Sequence, residues 1–365
     1  MNAVGKVRPM VDGDMPGIAA LYEHVHGLPP NTSRSDLHRN MRRVFLEHPW
    51  QDERIVSLVV DQPDDRIIGC LGVVPRPMLW NGKKITAAVS HSFVVAPELR
   101  SGMAALELVR AFLAGKQDLS ICQGNEVSRR IWDVFGGSTS HFYSLGWTRP
   151  LHPARYLLSY LRRRSLPRLA TTLLKPLCTV VDMMAPRMVP GLFRLPMPEV
   201  KGGVLTPDGA VELLVSSSSR CQLRPVYTSD SYRWMLDTLA LNPERGALRA
   251  VLVHDRNGVV GWYIYHLRDG EIAEVVQIGA SNNRMDTVFE HLLWQARGDG
   301  AIVVTGQLEP ALLHTLNTHA CLLHQANNGW MLLHARNREI LDAVHEGRAC
   351  LSRMEAEWWI SELLR

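Results

Sequence analysis

Short alternating runs of apolar residues and longer stretches in which they recur every third or fourth position succeed each other twice along this 365-residue chain. The first pass opens with a strand over Val7, Arg8 and Pro9. A helix over 12–26 turns Ile18, Leu21, Tyr22 and Val25 inward, and after a Pro/Asn loop a basic amphipathic helix over 35–47 does the same with Leu37, Met41, Val44 and Phe45. The β-rich runs 55–60 and 67–74, with a turn at 62–65, predict a hairpin, and Asn81-Gly82 marks a further turn. A strand over 90–95 stops at Pro97, which cannot donate to a ladder. A polar turn over 98–102 leads to a helix with Met103, Leu106, Val109, Phe112 and Leu113 on one face and Gly115 at its end. A strand over 119–122 then runs through Gly124 and Asn125 into a helix ending at Gly136 and Gly137, and 141–147 supplies another strand.

From Pro150 the texture changes. Tyr156, Leu157, Leu158, Tyr160 and Leu161 sit beside Arg162, Arg163 and Arg164, and prolines at 167, 176, 186, 190, 196 and 198 predict short helices without a long one. After Gly202-Gly203 the pattern restarts: strand 211–215, helix 229–241, a hairpin of 248–253 with 259–266, strand 271–278, helix 285–296, strand 301–305, helix 310–318. The order repeats that of the first half, so the chain divides into a domain over 1–149, a basic, Pro-broken helical connector over 150–203 and a domain over 204–365.

Composition narrows the setting. An apolar fraction of 46% suits a globular protein, and the longest stretch lacking Asp, Glu, Lys and Arg, 310–335, is interrupted by His, Asn and Gln and is no membrane span. The first residues lack the apolar core of a secretory signal. Six scattered cysteines show no paired spacing for zinc or a disulfide framework, so a reducing cytoplasm is expected. His314, His319 and His324, at five-residue spacing, cannot share one helix face, and no metal site is expected. Trp234, Trp262, Trp294, Trp330, Trp358 and Trp359 fall inside predicted elements and are expected in the core.

Net charge is +4, unevenly spread: 149–201 carries ten Lys/Arg against Asp182 and Glu199, a local +8 that leaves −4 for the rest. That excess beside Leu/Tyr-rich turns leaves two expectations for 150–201, a solvated linker packed on its neighbouring domain or peripheral contact with an anionic membrane or a polyanionic acceptor. Nucleic acid is not an expected partner, because the basic region is broken by proline and has no recognition motif.

The unit over 89–137 carries the chemistry. A small residue in a turn that opens a helix lets amides approach a phosphate, the helix dipole favours its charge, and Arg100 adds a cation. Val95, Ala96, Pro97, then Arg100, Ser101, Gly102, Met103 and Ala104, and later Asn125, Ser128, Trp132 and Gly136, resemble the two central motifs of the GNAT superfamily of acyl-CoA-dependent N-acyltransferases. The resemblance implies an α/β (α+β) protein of two GNAT-like domains, each a mixed, mostly antiparallel sheet flanked by helices. The second is a degenerate copy, since Ala280, Ser281, Asn282, Asn283 and Arg284 stand where a pyrophosphate loop belongs.

The resemblance also implies acetyl-CoA or another acyl-CoA as co-substrate, held by Phe93, Val94, Val95, Arg100, Ser101, Gly102, Met103, Ala104, Ala105, Asn125, Ser128 and Trp132, with a small-molecule amine as acceptor, an amino sugar or amino-acid-like compound. His91, on the motif strand before Val95, is the expected base, because imidazole titrates near neutrality. Trp132 stands where a tyrosine acid is common, and indole cannot return a proton to a thiolate, so that role falls to Tyr143 or His141. The expected reaction is direct N-acyl transfer with no covalent enzyme intermediate. A FemABX-like aminoacyl or peptidyl transferase and a non-catalytic acyl-CoA-binding protein are the alternatives.

Overall fold

The computed structural model describes residues 5–28, 33–64, 66–99, 103–164, 167–242, 245–269, 271–281, 283–326 and 329–364. In chain order come β1 (Lys6–Pro9), α1 (Met15–His26), α2 (Arg34–Phe45), β2 (Leu58–Asp61), β3 (Ile67–Trp80), β4 (Lys83–Val95), α3 (Ala104–Leu113), β5 (Leu119–Gly124), α4 (Glu126–Val134) and β6 (Ser138–Ser140). Then follow β7 (Leu145–Pro150), α5 (Pro153–Arg164), α6 (Arg168–Met188), α7 (Pro190–Phe193), β8 (Lys201–Val204), α8 (Pro207–Ser217), β9 (Leu223–Pro225) and α9 (Ser229–Ala240). The remainder is β10 (Ala247–Asp255), β11 (Gly258–Arg268), β12 (Ile272–Ala280), α10 (Met285–Gly298), β13 (Val303–Gln307), α11 (Leu313–Thr318), β14 (Leu322–Gln325), β15 (Trp330–Ala335), α12 (Arg338–His345) and α13 (Trp358–Leu364).

These elements form two compact units, each a mixed α/β assembly on its own sheet. The first is Met1–Ser144, Arg220–Leu241 and Asn327–Arg365; the second is Leu145–Ser219 and Asn242–Ala326. In the first, the strand order is β1-β2-β3-β4-β5-β15-β6, with β9 beside the end of β3. All neighbours are antiparallel except β4 and β5. The β3–β4 hairpin closes through Asn81 and Gly82, both at positive φ (47° and 81°), a turn whose twist matches that of the flanking strands. Side chains alternate across the sheet: Ala87, Val89, Leu119 and Ile121 enter a core with Tyr143 and α12, while Ala88 and Cys122 enter a second core beneath α3 and Trp132 of α4.

In the second unit the order is β14-β7-β13-β12-β11-β10-β8, and only β12 and β13 are parallel. Strand for strand this matches the first sheet, with β7 in the place that β15 takes there. The second sheet therefore takes β7 from the earlier stretch of the chain, and the first takes β15, with β9 at its margin, from the later one. Trp147 of β7 is fully buried in the second unit, its indole N–H donates to the Gln307 carbonyl at 3.0 Å, and it packs on Phe289 with ring centroids 5.3 Å apart.

Several local expectations differ from what forms. The units do not follow the boundaries expected at 149 and 203: 145–150 joins the second sheet, while 220–241 and 327–365 belong to the first unit. Residues 211–215, expected as a strand, lie in α8, because Thr206 accepts the Gly209 N–H at 3.2 Å and Pro207 opens the helix, a start signal that outweighs a β-rich run. The expected strand over 141–147 is a 3₁₀ turn at Phe142–Ser144 followed by β7.

The connector, expected to hold only short helices, contains the 21-residue α6, which continues through Pro176 and Pro186. Tertiary contact overrides the breakers: Asp182, buried midway along α6, accepts the N–H groups of Ala154 (2.8 Å) and Arg155 (3.2 Å) at the start of α5, and the Arg155 guanidinium at 3.1 Å. Cys221 and Cys350 form a disulfide across a sequence separation of 129, which spacing could not reveal, so a reducing compartment no longer follows from the cysteines. Trp262, Trp358 and Trp359 are buried as expected, whereas Trp294 is exposed and Trp234 and Trp330 are half-buried. No helix among the described residues is long and apolar enough to cross a membrane.

Candidate functional site

The feature that makes a site in the first unit is a parting of β4 from β5. They pair at only three positions, Ala87 with Leu119, Ala88 with Ser120 and Val89 with Ile121, although β4 runs on to Val95 and β5 to Gly124. On their outer sides both stay paired, β4 with β3 and β5 with β15. The register shows why they separate: Cys70 opposes Val94 while Gly72 opposes His91, so β4 carries an extra residue there, and Ser92 takes a left-handed φ of 49°. A bulge of this kind bends its strand and increases the twist. The result is a slot edged by backbone. Ala96 N–H donates to the Ile68 carbonyl of β3 at 2.9 Å, and since ladder bonds alternate along a strand, the Val95 amide points the other way, into the slot.

Two helices begin at its open end. Met103, half exposed, precedes α3, whose first turn has no side-chain cap among the described residues, and a helix start of this kind suits an anion; Ala104 is buried there and Ala105 half-buried. Arg100, Ser101 and Gly102 lie outside the described residues. Asn125 caps α4, its Oδ1 accepting the Ser128 N–H at 3.0 Å and the Ser128 hydroxyl at 3.3 Å. Trp132 faces the core, 2% exposed, with its ring 6.0 Å from that of Phe112. Gly137 follows from this: its N–H donates to the Trp132 carbonyl at 2.8 Å, and a Cβ there would lie 2.9 Å from that oxygen. Phe93 is half-buried at the slot, and Val94 and Val95 are buried.

The expected acid–base groups have separate surroundings. His91 is 0% exposed, its ring 4.7 Å from Phe45, in space that only Gly72 leaves open, because a Cβ at Gly72 would sit 2.2 Å from the imidazole Cε1. Its Nδ1 is 3.1 Å from the Ser92 hydroxyl and its Nε2 has no hydrogen-bond partner among the described residues. Burial, then the nearby His48, pushes the His91 pKa down to about 3. Tyr143 is buried and donates to the Ala349 carbonyl at 2.6 Å. His141 is exposed, edge-on to Trp330 at 5.6 Å. A proton-resonance titration of the His91 ring should accordingly be flat between pH 5 and 8; a midpoint near neutrality would mean that solvent reaches the imidazole.

Two polar groups at the slot were not singled out from the sequence. The Gln123 amide oxygen on β5 is buried without a hydrogen-bond partner among the described residues. Glu357, just before α13, has its carboxylate 4.0 Å from the Cys122 thiol, at the point where β5 has left β4. Burial, with this carboxylate next, pushes the Cys122 pKa above the thiol range, so the thiol stays protonated and is no nucleophile. Glu357 is held by its neighbours: Trp358 and Trp359 are buried, and the Arg353 guanidinium lies 4.8 Å from the Trp358 ring. No signal near 89–137 could have found a residue 235 positions beyond Cys122.

Among the described residues, no group of three His, Cys, Asp or Glu is placed to hold a metal. No protein-family model matches this chain, and no curated protein sequence matches it. Solved structures do. A GCN5-related N-acetyltransferase from Kribbella flavida is 17% identical with a TM-score of 0.57, over 90% of this chain and 70% of that one. A GCN5-related N-acetyltransferase from Anabaena variabilis is 13% identical with a TM-score of 0.59, over 91% and 73%. N-myristoyltransferase from Saccharomyces cerevisiae, with bound myristoyl-CoA, is 12% identical with a TM-score of 0.54, over 91% and 80%. The fold of the chain, two mixed sheets of the same strand order, the first with a bulged β4 that parts from β5, is that of these acyltransferase structures.

Proposed function

We propose that the first unit binds acyl-CoA in the slot between β4 and β5 and transfers the acyl group to the primary amine of a small molecule, by direct attack. The observation that carries this reading is the parting of the two strands after three paired residues, which leaves backbone amides to receive an extended amide-bearing chain while a helix start beside them suits its pyrophosphate. In this reading Phe93, Val94 and Val95 flank the pantetheine, and Arg100 to Ala105 hold the phosphates. The acyl group is acetyl or a longer chain, and the acceptor an amino sugar or amino-acid-like amine, the class that the motifs suggest.

Chemically the amine nitrogen bonds to the thioester carbonyl, the oxyanion so formed accepts the Val95 amide, and the carbon–sulfur bond then breaks to release thiolate. The amine must lose a proton, and Glu357 is the carboxylate beside the slot that can take it. His91, enclosed and with its pKa near 3, is poorly suited to that step. A second reading, acyl-CoA binding without turnover, is favoured by the burial of Trp132, Tyr143 and His91.

Calorimetry with CoA tests the common part. One CoA should bind per chain, and Arg100→Ala should weaken it by about an order of magnitude or more, because a charge-assisted phosphate contact contributes about 1.5–3 kcal/mol. Absence of binding, or two sites per chain, removes the assignment. Release of free CoA in the presence of amines separates the two readings.

A further inference from the structure

We infer that the α5–α6 helical hairpin of the second unit docks on an anionic lipid surface, a property independent of the acyl-transfer reading. A helix on a globular protein ordinarily turns its apolar face inward. Here the reverse holds: Leu173, Leu177, Val180, Met184 and Met188 recur at spacings of three and four and are between 51% and 74% exposed. From Leu173 to Met188 this stripe extends about 22 Å. Its direction is fixed from the opposite side. At about 100° per residue the stripe lies across the helix from Asp182, whose buried carboxylate is held by the start of α5, and Tyr156 of α5 packs against Ile272, Ile302 and Val303 of the sheet.

Charge names the occupant. The sequence of the hairpin, 153–188, holds seven Lys/Arg against Asp182 alone, a net +6, and Arg162, Lys175 and Arg187 are exposed. An apolar stripe within a cationic helix pair suits the boundary of an anionic leaflet, where side chains enter the acyl region and cations meet headgroups. A second copy of this chain would set +6 against +6 across the same stripe. The hairpin lies on the surface and does not span it, since no described helix is long and apolar enough to cross.

The test is co-sedimentation of the full chain with vesicles of phosphatidylcholine alone or mixed with phosphatidylglycerol. Binding is expected to the mixed vesicles only, declining as salt shortens the screening length, about 8 Å at 0.15 M. The triple variant L177S/V180S/M184S should bind at least about tenfold more weakly with an unchanged melting temperature, as these side chains face solvent. Equal binding to neutral vesicles, binding to neither, or a dimer in ultracentrifugation that the triple variant dissociates would overturn the inference.

Discussion

Replacing Glu357 by glutamine should lower acyl-transfer turnover by about 100- to 10,000-fold, the range over which a positioned base acts, while leaving CoA affinity close to that of the parent protein. The expectation rests on placement: the carboxylate is 4.0 Å from the Cys122 thiol, on the strand that has just diverged from β4, and buried tryptophans at 358 and 359 fix the backbone that carries it. Glutamine keeps the shape and gives up the capacity to take a proton. The loss should appear in kcat and kcat/KM alike, because the proton leaves as the new bond forms, and the variant should regain rate as pH rises and the amine deprotonates unaided. Full turnover in the variant would assign deprotonation to water. A large rise in KM for acyl-CoA with unchanged kcat would instead make Glu357 a binding residue.

A second large effect is expected away from the slot. Arg76→Ala should destabilise the first unit by about 3–5 kcal/mol, the cost typical of breaking a buried ion pair from one side. Arg76 of β3 is 3% exposed and donates to the Met354 carbonyl at 2.9 Å and the Tyr227 hydroxyl at 2.6 Å, while Tyr227 donates to Glu355. Glu355 lies 3.9 Å from the guanidinium and accepts the Ser352 N–H and hydroxyl, each at 2.7 Å. The guanidinium also stacks 4.1 Å over Trp50. Alanine would leave a buried carboxylate without its cation and a void against the indole. Removing both charges, as R76M/E355Q, should cost less than R76A, since no unpaired charge remains. Denaturant unfolding followed by tryptophan fluorescence reads the difference, and a loss below about 1 kcal/mol for R76A would mean that water or another group already neutralises Glu355.

The local order of elements was legible because it depends on local pattern. Asn81-Gly82 marked a turn, Pro97 ended β4, and the recurrence of Met103, Leu106, Val109, Phe112 and Leu113 required a helix, although the face it buries is Ala104, Leu108, Val109, Phe112 and Leu113. What escaped the sequence depends on contacts distant along the chain. The positive φ at Ser92 has no glycine to announce it, so the bulge that opens the slot was invisible even though the motif around it was plain. His91 reads as a reactive imidazole until Gly72 and Phe45 enclose it. Glu357 and the Cys221–Cys350 bridge join segments more than a hundred residues apart. The exchange of β7 and β15 is hidden for another reason: a strand that could fold back as a hairpin has the same alternation as one that pairs elsewhere.

That exchange sets a schedule for synthesis. By residue 144 the nascent chain has produced every strand of the first sheet's main path except β15, which lies between β5 and β6 and is not translated until residue 335. At about 5–20 residues per second the ribosome needs about 10–40 s to cover that interval. Throughout it, one edge of β5, Leu119–Gly124, has no strand to pair with, and an open apolar edge is a template for association with other chains. The amino-terminal part therefore cannot finish folding as it emerges, and the soluble yield of this protein should depend on how quickly, and under what chaperone protection, β15 leaves the ribosome.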